Sequence, residues 1–437
     1  MEAKNLSAVK KQIREFSVSL STRLKQLKGS IKKLFLHLPS TSFNMILKEK
    51  IKKLAENYAE EFIQIRHHLH QNPELSYHEF ETSKFVQKKL GEYGIHFQVM
   101  ATTGVIGIIK GKNPGKKVIA LRADIDALPI LEKNDIDYRS KNEGVMHACG
   151  HDVHTSCLLG ASKILNELKD EWEGTIKLIF QPGEEKNPGG ASLLIKEGVL
   201  ENPKPDAIFA LHVHPNLEVG KLSFRGGMVM ASADEIYISV KSKGGHAAAP
   251  HLTTDTILAA SQLVVNLQQL VSRMNNPFNP SVLSITSFNA GNTTNVIPSE
   301  VKLMGTFRAM NEEWRFKAHD LIRNICKKTG EISGAQIDVE IDVGYPFVVN
   351  NIELTEMARR KAEELIGKEN VEETEMRMGA EDFAFYSHLI PACFFRLGVG
   401  NIQKNISSGV HTPTFNIDEK AIENGMAIMS WLAVSIR

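Results

Sequence analysis

Short runs of almost continuously apolar residues, which alternate with helix-like segments, constrain the fold of this chain most strongly. Thr175–Phe180 and Ala207–Leu211 are two such runs, and segments with apolar residues at helical spacing lie before and between them. A strand that is apolar on both faces must be covered on both faces, which is typical of a parallel sheet with crossover helices. The sequence therefore predicts an α/β fold with a mixed, mainly parallel sheet beneath helices.

A different order of elements interrupts this alternation in the middle of the chain. After Gly226–Gly227 the pattern predicts a strand, a helix, two strands, a helix and a strand, ending at Val343. This β-α-β-β-α-β order is typical of a ferredoxin-like α+β unit. We therefore expect a basic N-terminal extension at residues 1–50, a larger domain at 51–226 and 344–437, and an inserted ferredoxin-like domain at 227–343.

The charge and cysteine content exclude several classes of protein. Residues 1–53 contain 13 Lys and Arg but only 3 Asp and Glu, so the rest of the chain is acidic overall and lacks the footprint of a nucleic-acid-binding protein. No apolar run is long enough to cross a membrane. The 4 cysteines do not form a disulfide framework, which favours a reducing compartment and predicts a cytoplasmic protein. The basic extension favours a solvated segment, with a transit peptide or a membrane-contacting arm as alternatives.

Side chains that can bind metal lie at the ends of several predicted elements. Cys149 and His151 stand where a loop enters a predicted helix. Two acids, Glu184 and Glu185, follow the first apolar strand, and two histidines, His212 and His214, follow the second. Open α/β sheets place their sites at the carboxyl ends of the strands, so we expect these residues to lie close together. Each residue alone is more typical of a structural role, and only their joint occurrence points to one site.

The combination of thiolate, imidazole and carboxylate ligands indicates which metals the site would bind. These ligand types suit Zn, Mn, Co or Ni rather than Mg or Ca. A metal ion lowers the pKa of bound water towards neutrality, and a neighbouring carboxylate can take up the released proton. The sequence therefore predicts a binuclear metal centre with a carboxylate base beside it.

Seven motifs, in consistent order over residues 52–437, resemble those of the M20 metallopeptidases. The similarity is to the amidohydrolase branch, which includes aminoacylase-like enzymes, hippurate hydrolases and indole-acetyl-amino-acid hydrolases. The motifs are His147–Asp152, Gly183–Glu185, His212–Pro215, Gly245–His251, Asn295–Pro298, Gly379–Phe383 and His411–Pro413. The resemblance implies a zinc-peptidase-like catalytic domain with an inserted ferredoxin-like domain that serves as a lid or in dimerisation.

The resemblance also implies a role for each residue of the site. Two divalent ions (Mn, Zn, Co or Ni) would be held by Cys149, His151, Glu185, His212 and His411. Glu184 matches the general base and Asp126 the acid that supports the centre. His246 matches a donor to the oxyanion or substrate carboxylate, and Asn295 and Arg308 match groups that anchor the substrate. The wider family has a His at the place of Asp124 and uses a carboxylate instead of a thiolate as the bridge, so this chain resembles the Cys-containing branch.

The function implied by the resemblance is metal-dependent hydrolysis of the amide bond of small N-acyl-L-amino acids. A homo-oligomer that forms through the inserted domain is implied as well. A dipeptidase and a deacetylase of the N-acetyl-diaminopimelate type are alternatives within the same chemistry. Two other classes stay open: a non-catalytic metal-binding protein, and a hydrolase that uses Cys149 as its nucleophile.

Overall fold

The computed structural model describes residues 40–436, with side chains from residue 45 onward. Most of the basic extension predicted at 1–50 therefore lies outside the described residues. The first helix, α1 (Ser40–Gln71), begins before the predicted Ile51. Leu54–Arg437 form one compact unit, to which every residue of the candidate site belongs. No helix among the described residues is both long enough and apolar enough to cross a membrane.

An eight-stranded mixed sheet forms the larger part of this unit. Its four central strands run parallel to one another. On one side two further strands are joined by antiparallel pairing, and on the other side an antiparallel strand is followed by an edge strand that is parallel to it. In sheet order the strands are β1 (His96–Met100), β2 (Gly104–Lys110), β4 (Thr175–Gln181), β3 (Val118–Asp124), β5 (Ala207–Glu218), β16 (Ala392–Gly400), β6 (Leu222–Phe224) and β15 (Val371–Glu373). The prediction of a mixed, mainly parallel sheet is confirmed.

Helices cover this sheet and bury its apolar strands. The covering helices are α2 (Phe80–Glu92), α3 (His151–Glu167), α4 (Gly190–Lys196), α7 (Ile352–Ile366), the short α8 (Ala384–Ser387) and α9 (Lys420–Ser435). Every residue of β3 and β4 is buried, as expected for strands covered on both faces. Ile179, Ile208 and Phe394 contribute to one apolar core, which includes residues of five neighbouring strands.

A second, four-stranded antiparallel sheet follows between residues 234 and 343. Its order is β10 (Ser281–Asn289), β12 (Glu300–Ala309), β8 (Asp234–Lys241) and β13 (Gln336–Val343). Helices α5 (Thr256–Gln269, extended by a π-helical turn Leu270–Met274) and α6 (Glu312–Ser333) share an apolar core with this sheet. This order of strands and helices is that of a ferredoxin-like unit. The domain limits at 226/227 and 343/344 stay a prediction.

Two small sheets and several short helical turns complete the described chain. The small sheets pair β9 (Gly245–His246) with β11 (Val296–Ile297), and β7 (Gly227–Met230) with β14 (Val348–Asn350). The 3-10 turns are Lys169–Glu171, Pro250–Leu252, Lys368–Asn370 and Ile402–Lys404.

Two features of the large sheet differ from the sequence expectation. Strand β5 continues to Glu218, so His212 and His214 lie within the strand and not after it. The reason is that β16 pairs in parallel with β5 past both histidines, which keeps the backbone extended where the apolar run ends. Strand β1 was not predicted, because its residues are mostly exposed and show no apolar alternation.

Candidate active site

The candidate site lies at the carboxyl edge of the parallel strands. Helix α3 begins at His151 directly after Gly150, whose φ of 84° is in the left-handed region that favours glycine. A Cβ atom at Gly150 would lie 2.6 Å from the Val213 side chain on strand β5, so only glycine lets the loop approach the strand this closely. This local geometry brings Cys149 and His151 to the strand that carries His212.

The structure brings all five predicted metal ligands together, in two groups that share Cys149. One group is Cys149, His151 and His212, and the other is Cys149, Glu185 and His411; the ligand atoms of each group lie within 4.8 Å of one another. The Cys149 Sγ atom lies 3.5 Å from His212 Nε2 and 3.2 Å from His411 Nε2. His411 Nε2 is also 3.2 Å from Glu185 Oε1. One thiol therefore faces both groups.

Two buried polar atoms in this cluster fit a bound cation. Among residues 45–436, His151 Nε2 is buried without a hydrogen-bond partner, and the buried Glu185 Oε1 lies 3.2 Å from His411 Nε2 but forms no hydrogen bond of acceptable geometry. A buried polar atom without a partner costs about 1–3 kcal/mol. One of the two atoms belongs to each ligand group, and they lie 3.9 Å apart. The donor set and its geometry therefore fit a divalent metal.

Hydrogen bonds on the far side of two of the imidazoles, His151 and His212, turn their Nε2 atoms towards the cluster. His151 Nδ1 lies 3.0 Å from Asp126 Oδ1, and His212 Nδ1 lies 2.8 Å from the Val213 carbonyl oxygen. An Nδ1–H that donates to such an acceptor leaves the lone pair of Nε2 free for a metal. Asp126 is itself held by the Glu185 backbone N–H, at 3.0 Å. The structure thus places Asp126 behind the cluster, where a supporting acid is needed.

The thiol of Cys149 is not activated by its protein surroundings. Burial raises the pKa of Cys149 well above its ordinary value, and the carboxylates of Glu185 and Glu184 raise it further. Burial also holds the pKa of His212 well below its ordinary value, so this imidazole does not supply a positive charge. A thiolate at this position therefore needs a cation. This environment disfavours a mechanism in which Cys149 acts as a nucleophile without metal.

Glu184 lies beside the metal-ligand cluster and is almost completely buried. Burial and the nearby carboxylate of Glu381 raise the pKa of Glu184 well above its ordinary value. The Tyr345 hydroxyl donates to the Glu184 backbone carbonyl at 2.6 Å, and the Asp382 backbone N–H lies 3.4 Å from Glu184 Oε1. A carboxyl group in such a setting can take up a proton and release it again.

A cavity of about 940 Å³ opens onto these groups. Its lining includes Cys149, Glu184, Glu185, His212, Arg308, Arg377, Arg396 and His411. Of the three predicted substrate-binding residues, only Arg308 lines this cavity. His246 lies in the small β9–β11 sheet and Asn295 directly precedes β11; the Ala247 N–H donates to the Asn295 carbonyl at 3.0 Å. His246 is exposed, and its Nδ1 accepts a hydrogen bond from the Ala248 N–H.

Comparison with known proteins decides the family. The profile of peptidase family M20/M25/M40 matches residues 120–434. The chain belongs to this family. It is therefore a metal-dependent amidohydrolase that acts on linear amides, and the alternative of a non-catalytic metal-binding protein is wrong.

Individual relatives of this M20 enzyme cover most of its length. Thermostable carboxypeptidase 2 of Saccharolobus solfataricus is 40% identical over 395 residues, which is 89% of this chain and 99% of the relative. The N-acyl-L-amino acid amidohydrolase of Geobacillus stearothermophilus is 42% identical over 305 residues, 69% of this chain and 81% of the relative. A crystal structure of the Bacillus subtilis YXEP protein, described as a dinuclear metal binding peptidase from the M20 family, has a TM-score of 0.74 and 35% identity, and covers 87% of this chain and 98% of its own.

A buried polar network beneath the M20 site was not assigned a function from the sequence. Arg122 Nη1 donates to Asp124 at 2.6 Å, and Arg122 Nη2 lies 3.0 Å from Glu381 and 2.8 Å from Asp382. The other oxygen of Asp124 lies 2.6 Å from His154 Nδ1. Several of these residues lie in or beside the family motifs, but the ion pairs between them join positions up to 260 residues apart, which no local sequence pattern predicts.

Glu79 is a second functional candidate that the sequence analysis missed. It is buried, and its Oε1 atom accepts hydrogen bonds from the Gly183 and Tyr77 backbone N–H groups, each at 2.8 Å. Glu79 therefore holds the turn that presents Glu184 and Glu185. A carboxylate at the start of a predicted helix is typical of an ordinary capping residue, so nothing in the sequence distinguished Glu79 from one.

Proposed function

We propose that this M20 enzyme hydrolyses N-acyl-L-amino acids and releases a carboxylic acid and a free amino acid. The observation that carries the proposal is the juxtaposition of a buried carboxyl group, Glu184, with the two Cys149-sharing ligand groups at the floor of one cavity. Arg308 lines the same cavity and can pair with the carboxylate of the amino-acid part. The 42% identical relative named as an N-acyl-L-amino acid amidohydrolase supports the same substrate class.

We propose further that two divalent ions, from among Mn, Zn, Co and Ni, bind to the five clustered ligands. Cys149 belongs to both ligand groups, which supports two neighbouring ions that share one thiolate. The ligand types favour these metals over Mg and Ca. The relative described as a dinuclear metal binding peptidase agrees with this number of ions.

Glu184 would move the proton in the reaction. When bound, the metal ions would polarise the amide carbonyl and lower the pKa of a water molecule. Glu184 takes a proton from the attacking water and then donates it to the amide nitrogen, so that the amino acid leaves as a neutral amine. Asp126 keeps His151 in the tautomer that leaves Nε2 free.

His246 and Asn295 would act on the substrate from the ferredoxin-like unit. Because neither lines the cavity described above, we propose that they approach the substrate when this unit moves towards the large sheet, with His246 donating to the developing oxyanion. His246→Ala should then lower kcat by at least tenfold and leave the metal content unchanged; an unchanged kcat would contradict the role.

We propose that the enzyme forms a homo-oligomer through the ferredoxin-like unit. Helix α5 of this unit exposes Leu258 and Val265 to 68% and 62%, and these residues lie seven positions, or about two turns, apart along the helix. Exposed apolar residues of this size on one helix are typical of protein contacts. Analytical ultracentrifugation should show a dimer that Leu258→Glu dissociates, and a monomeric wild-type enzyme would refute the proposal.

The four cysteines are consistent with a reducing environment. All of them are free and buried. We propose a cytoplasmic location on this ground. The alternative roles of the basic extension, including contact with a membrane surface, concern residues that lie mostly outside the described range.

The second candidate function is that of a dipeptidase, which cleaves a peptide bond and releases a free amino acid. The 40% identical relative is named as a carboxypeptidase, and a dipeptide presents the same amide and carboxylate as an N-acyl amino acid. A deacetylase of the N-acetyl-diaminopimelate type differs only in the amino-acid part. All three substrate types present an amide bond and a carboxylate to the same cavity residues, and an assay with each of them distinguishes the candidates.

The test is a substrate panel with a matched variant. Metal-reconstituted protein is assayed with acetyl-, benzoyl-, long-chain-acyl- and indole-acetyl-amino acids, N-acetyl-diaminopimelate and dipeptides, with and without chelator. We expect chelator-sensitive release of the amino acid from N-acyl substrates. Glu184→Gln should bind the same amount of metal and lose about 10²- to 10⁴-fold in kcat. Faster turnover of dipeptides than of every N-acyl amino acid would favour the second candidate, and wild-type rates in Glu184→Gln would refute the mechanism.

A further inference from the structure

Arg396 is a buried cation on the wall of the active-site cavity. It lies on strand β16 directly opposite His212 of strand β5 in the parallel register, so both side chains project from the same face of the sheet. Only 3% of Arg396 is exposed, yet it lines the cavity together with Cys149 and His212. The Arg396 side chain therefore stands next to the place where the amide bond is cleaved.

The charge of Arg396 is not neutralised by the described protein. Among residues 45–436, no carboxylate lies within 4.0 Å of its guanidinium nitrogens. Its Nη2 atom donates to the Met230 sulfur at 2.9 Å, which is a weak acceptor, and its Nε atom is buried without a hydrogen-bond partner. The guanidinium carbon lies 4.9 Å from the centroid of the Phe394 ring. Buried arginines are normally paired with carboxylates, so this one is built to receive an anion.

A second arginine extends the positive wall towards the cavity opening. Arg377 is exposed, lines the same cavity, and approaches the His214 ring at 3.2 Å instead of a carboxylate. Burial and the charge of Arg377 together lower the pKa of Arg396 to about 10, although Glu381 and Cys149 act in the opposite direction. Arg396 still carries its charge at neutral pH, because this pKa lies well above 7.

The carboxylate of a simple N-acyl amino acid already has a partner on another wall. Arg308 belongs to strand β12 of the four-stranded sheet, whereas Arg396 belongs to the large sheet. The cavity thus presents two separate cationic groups, of which a substrate with a single carboxylate can use one. Five acids also line the cavity, but none lies within 4.0 Å of the Arg396 nitrogens. Glu184 and Glu185 are assigned to the reaction and to metal, and Glu381 is paired with Arg122 at 3.0 Å. The other two are Glu235 and Asp342.

We propose that Arg396 binds a second anionic group of the substrate, so that the preferred substrates are N-acyl amino acids with two carboxylates. The second carboxylate can come from the amino-acid side chain, as in N-acetyl-glutamate, or from the acyl group, as in N-succinyl-leucine. This inference rests on the proposed function and names its substrate class.

Two pairs of substrates of matched size separate these sources. N-acetyl-glutamate is compared with N-acetyl-glutamine, and N-succinyl-leucine with the corresponding succinamide of leucine. We expect the wild-type holoenzyme to prefer the dianionic member of one pair by about 10- to 100-fold in kcat/KM, the range for a buried charge-assisted hydrogen bond. Arg396→Met should abolish that preference, and Arg396→Lys should restore part of it. Arg225→Met removes an arginine that does not line the cavity and should keep the preference intact.

Binding measurements separate a failure of this inference from a failure of the proposed function. In the Glu184→Gln holoprotein, calorimetry should show tighter binding of the dianionic member, which Glu184→Gln combined with Arg396→Met loses. If the wild type hydrolyses no N-acyl amino acid but this binding preference is present, the proposed function fails and the anion site stands. Equal kcat/KM within both pairs, a preference that survives in Arg396→Met, or an equal loss for both members of a pair would overturn the assignment of Arg396.

Discussion

Replacing Asp126 with Asn tests how the metal centre depends on a residue outside its ligand set. Asp126 is fully buried and keeps its shape in this substitution. Its Oδ1 atom faces His151 Nδ1 at 3.0 Å, and its Oδ2 atom accepts from the Ser76 hydroxyl at 2.6 Å and from the Glu185 N–H at 3.0 Å. An asparagine has one oxygen and one NH₂ group, so it cannot accept on both sides.

The magnitude follows from the contact that is lost. If the NH₂ group faces His151, it opposes the Nδ1–H, which keeps only the Asp126 backbone carbonyl at 3.0 Å as an acceptor, and a shift of the proton to Nε2 would block a metal. If the NH₂ group faces Glu185 instead, it opposes the Glu185 backbone N–H, so two hydrogen-bond donors meet next to a proposed metal ligand. A hydrogen bond to a charged group contributes about 1.5–3 kcal/mol, and loss of such supporting groups weakens metal binding by about 10- to 100-fold. We therefore expect Asp126→Asn to raise the dissociation constant of the more weakly bound ion by that factor.

The assay is a competition titration with a chelator of known affinity, with bound metal measured by elemental analysis. Ser76→Ala is the matched control, because it removes one neutral donor from Asp126 and leaves the His151 contact in place; its affinity should stay within about threefold of the wild type. Circular dichroism of both variants checks that the fold is intact. An affinity of Asp126→Asn within twofold of the wild type would show that the His151 tautomer does not depend on this carboxylate.

Three further predictions concern stability and the loop that carries Glu184. Asp234→Asn should destabilise the protein by about 1.5–3 kcal/mol in denaturant titrations, because the buried Arg315 donates to both Asp234 oxygens at 2.9 and 2.6 Å and would keep only the Glu312 carboxylate; a loss below 1 kcal/mol would contradict this. Burial opposes ionisation of Asp234, but hydrogen bonds from Arg315 and His319 outweigh it and lower its pKa. The stabilisation is therefore complete above the unfolded value of about 3.9 and is lost as the pH falls through the lower folded pKa, so melting curves below pH 4 should fall less steeply in Asp234→Asn than in the wild type. Gly183→Ala should lower kcat by at least tenfold, because the added Cβ would lie 2.2 Å from the Tyr77 ring and the backbone φ of 57° is strained for alanine. Gly198→Ala is the control: its φ of 88° is also positive, but no atom lies within 4 Å of the added Cβ, so kcat should stay unchanged.

The elements that determine the fold were largely predictable from local patterns. The buried strands β3, β4 and β16 and the ferredoxin-like order of elements follow from apolar periodicity, which is a property of short segments. The length of β5 was not predictable in this way, since the polar His212 and His214 end the apolar run. Their backbone stays extended because of pairing with β16, a strand almost two hundred positions later.

The metal-ligand cluster was predictable for a different reason. Its residues sit at the ends of predicted elements, so the rule for parallel sheets places them at one edge, and the family resemblance adds His411. The positions of His246 and Asn295 relative to the cavity depend on how the second sheet lies against the first, and no local pattern encodes this. The unpaired state of Arg396 could not be predicted either, because it depends on the absence of acids from several distant strands.

The metal centre would also fasten the two parts of the large sheet to each other. Under the proposed ligand set, an ion bridges Cys149 and His411, which are 262 positions apart, with the whole ferredoxin-like unit between them. A tie between such distant points lowers the entropy of the unfolded chain by an amount that grows with the logarithm of the enclosed length. Release of the ion would therefore remove a link that holds these two distant parts of the chain together. A newly synthesised chain could retain the shared ion only after the segment with His411 has folded against the first half of the sheet, so that metal loading reports the completion of folding.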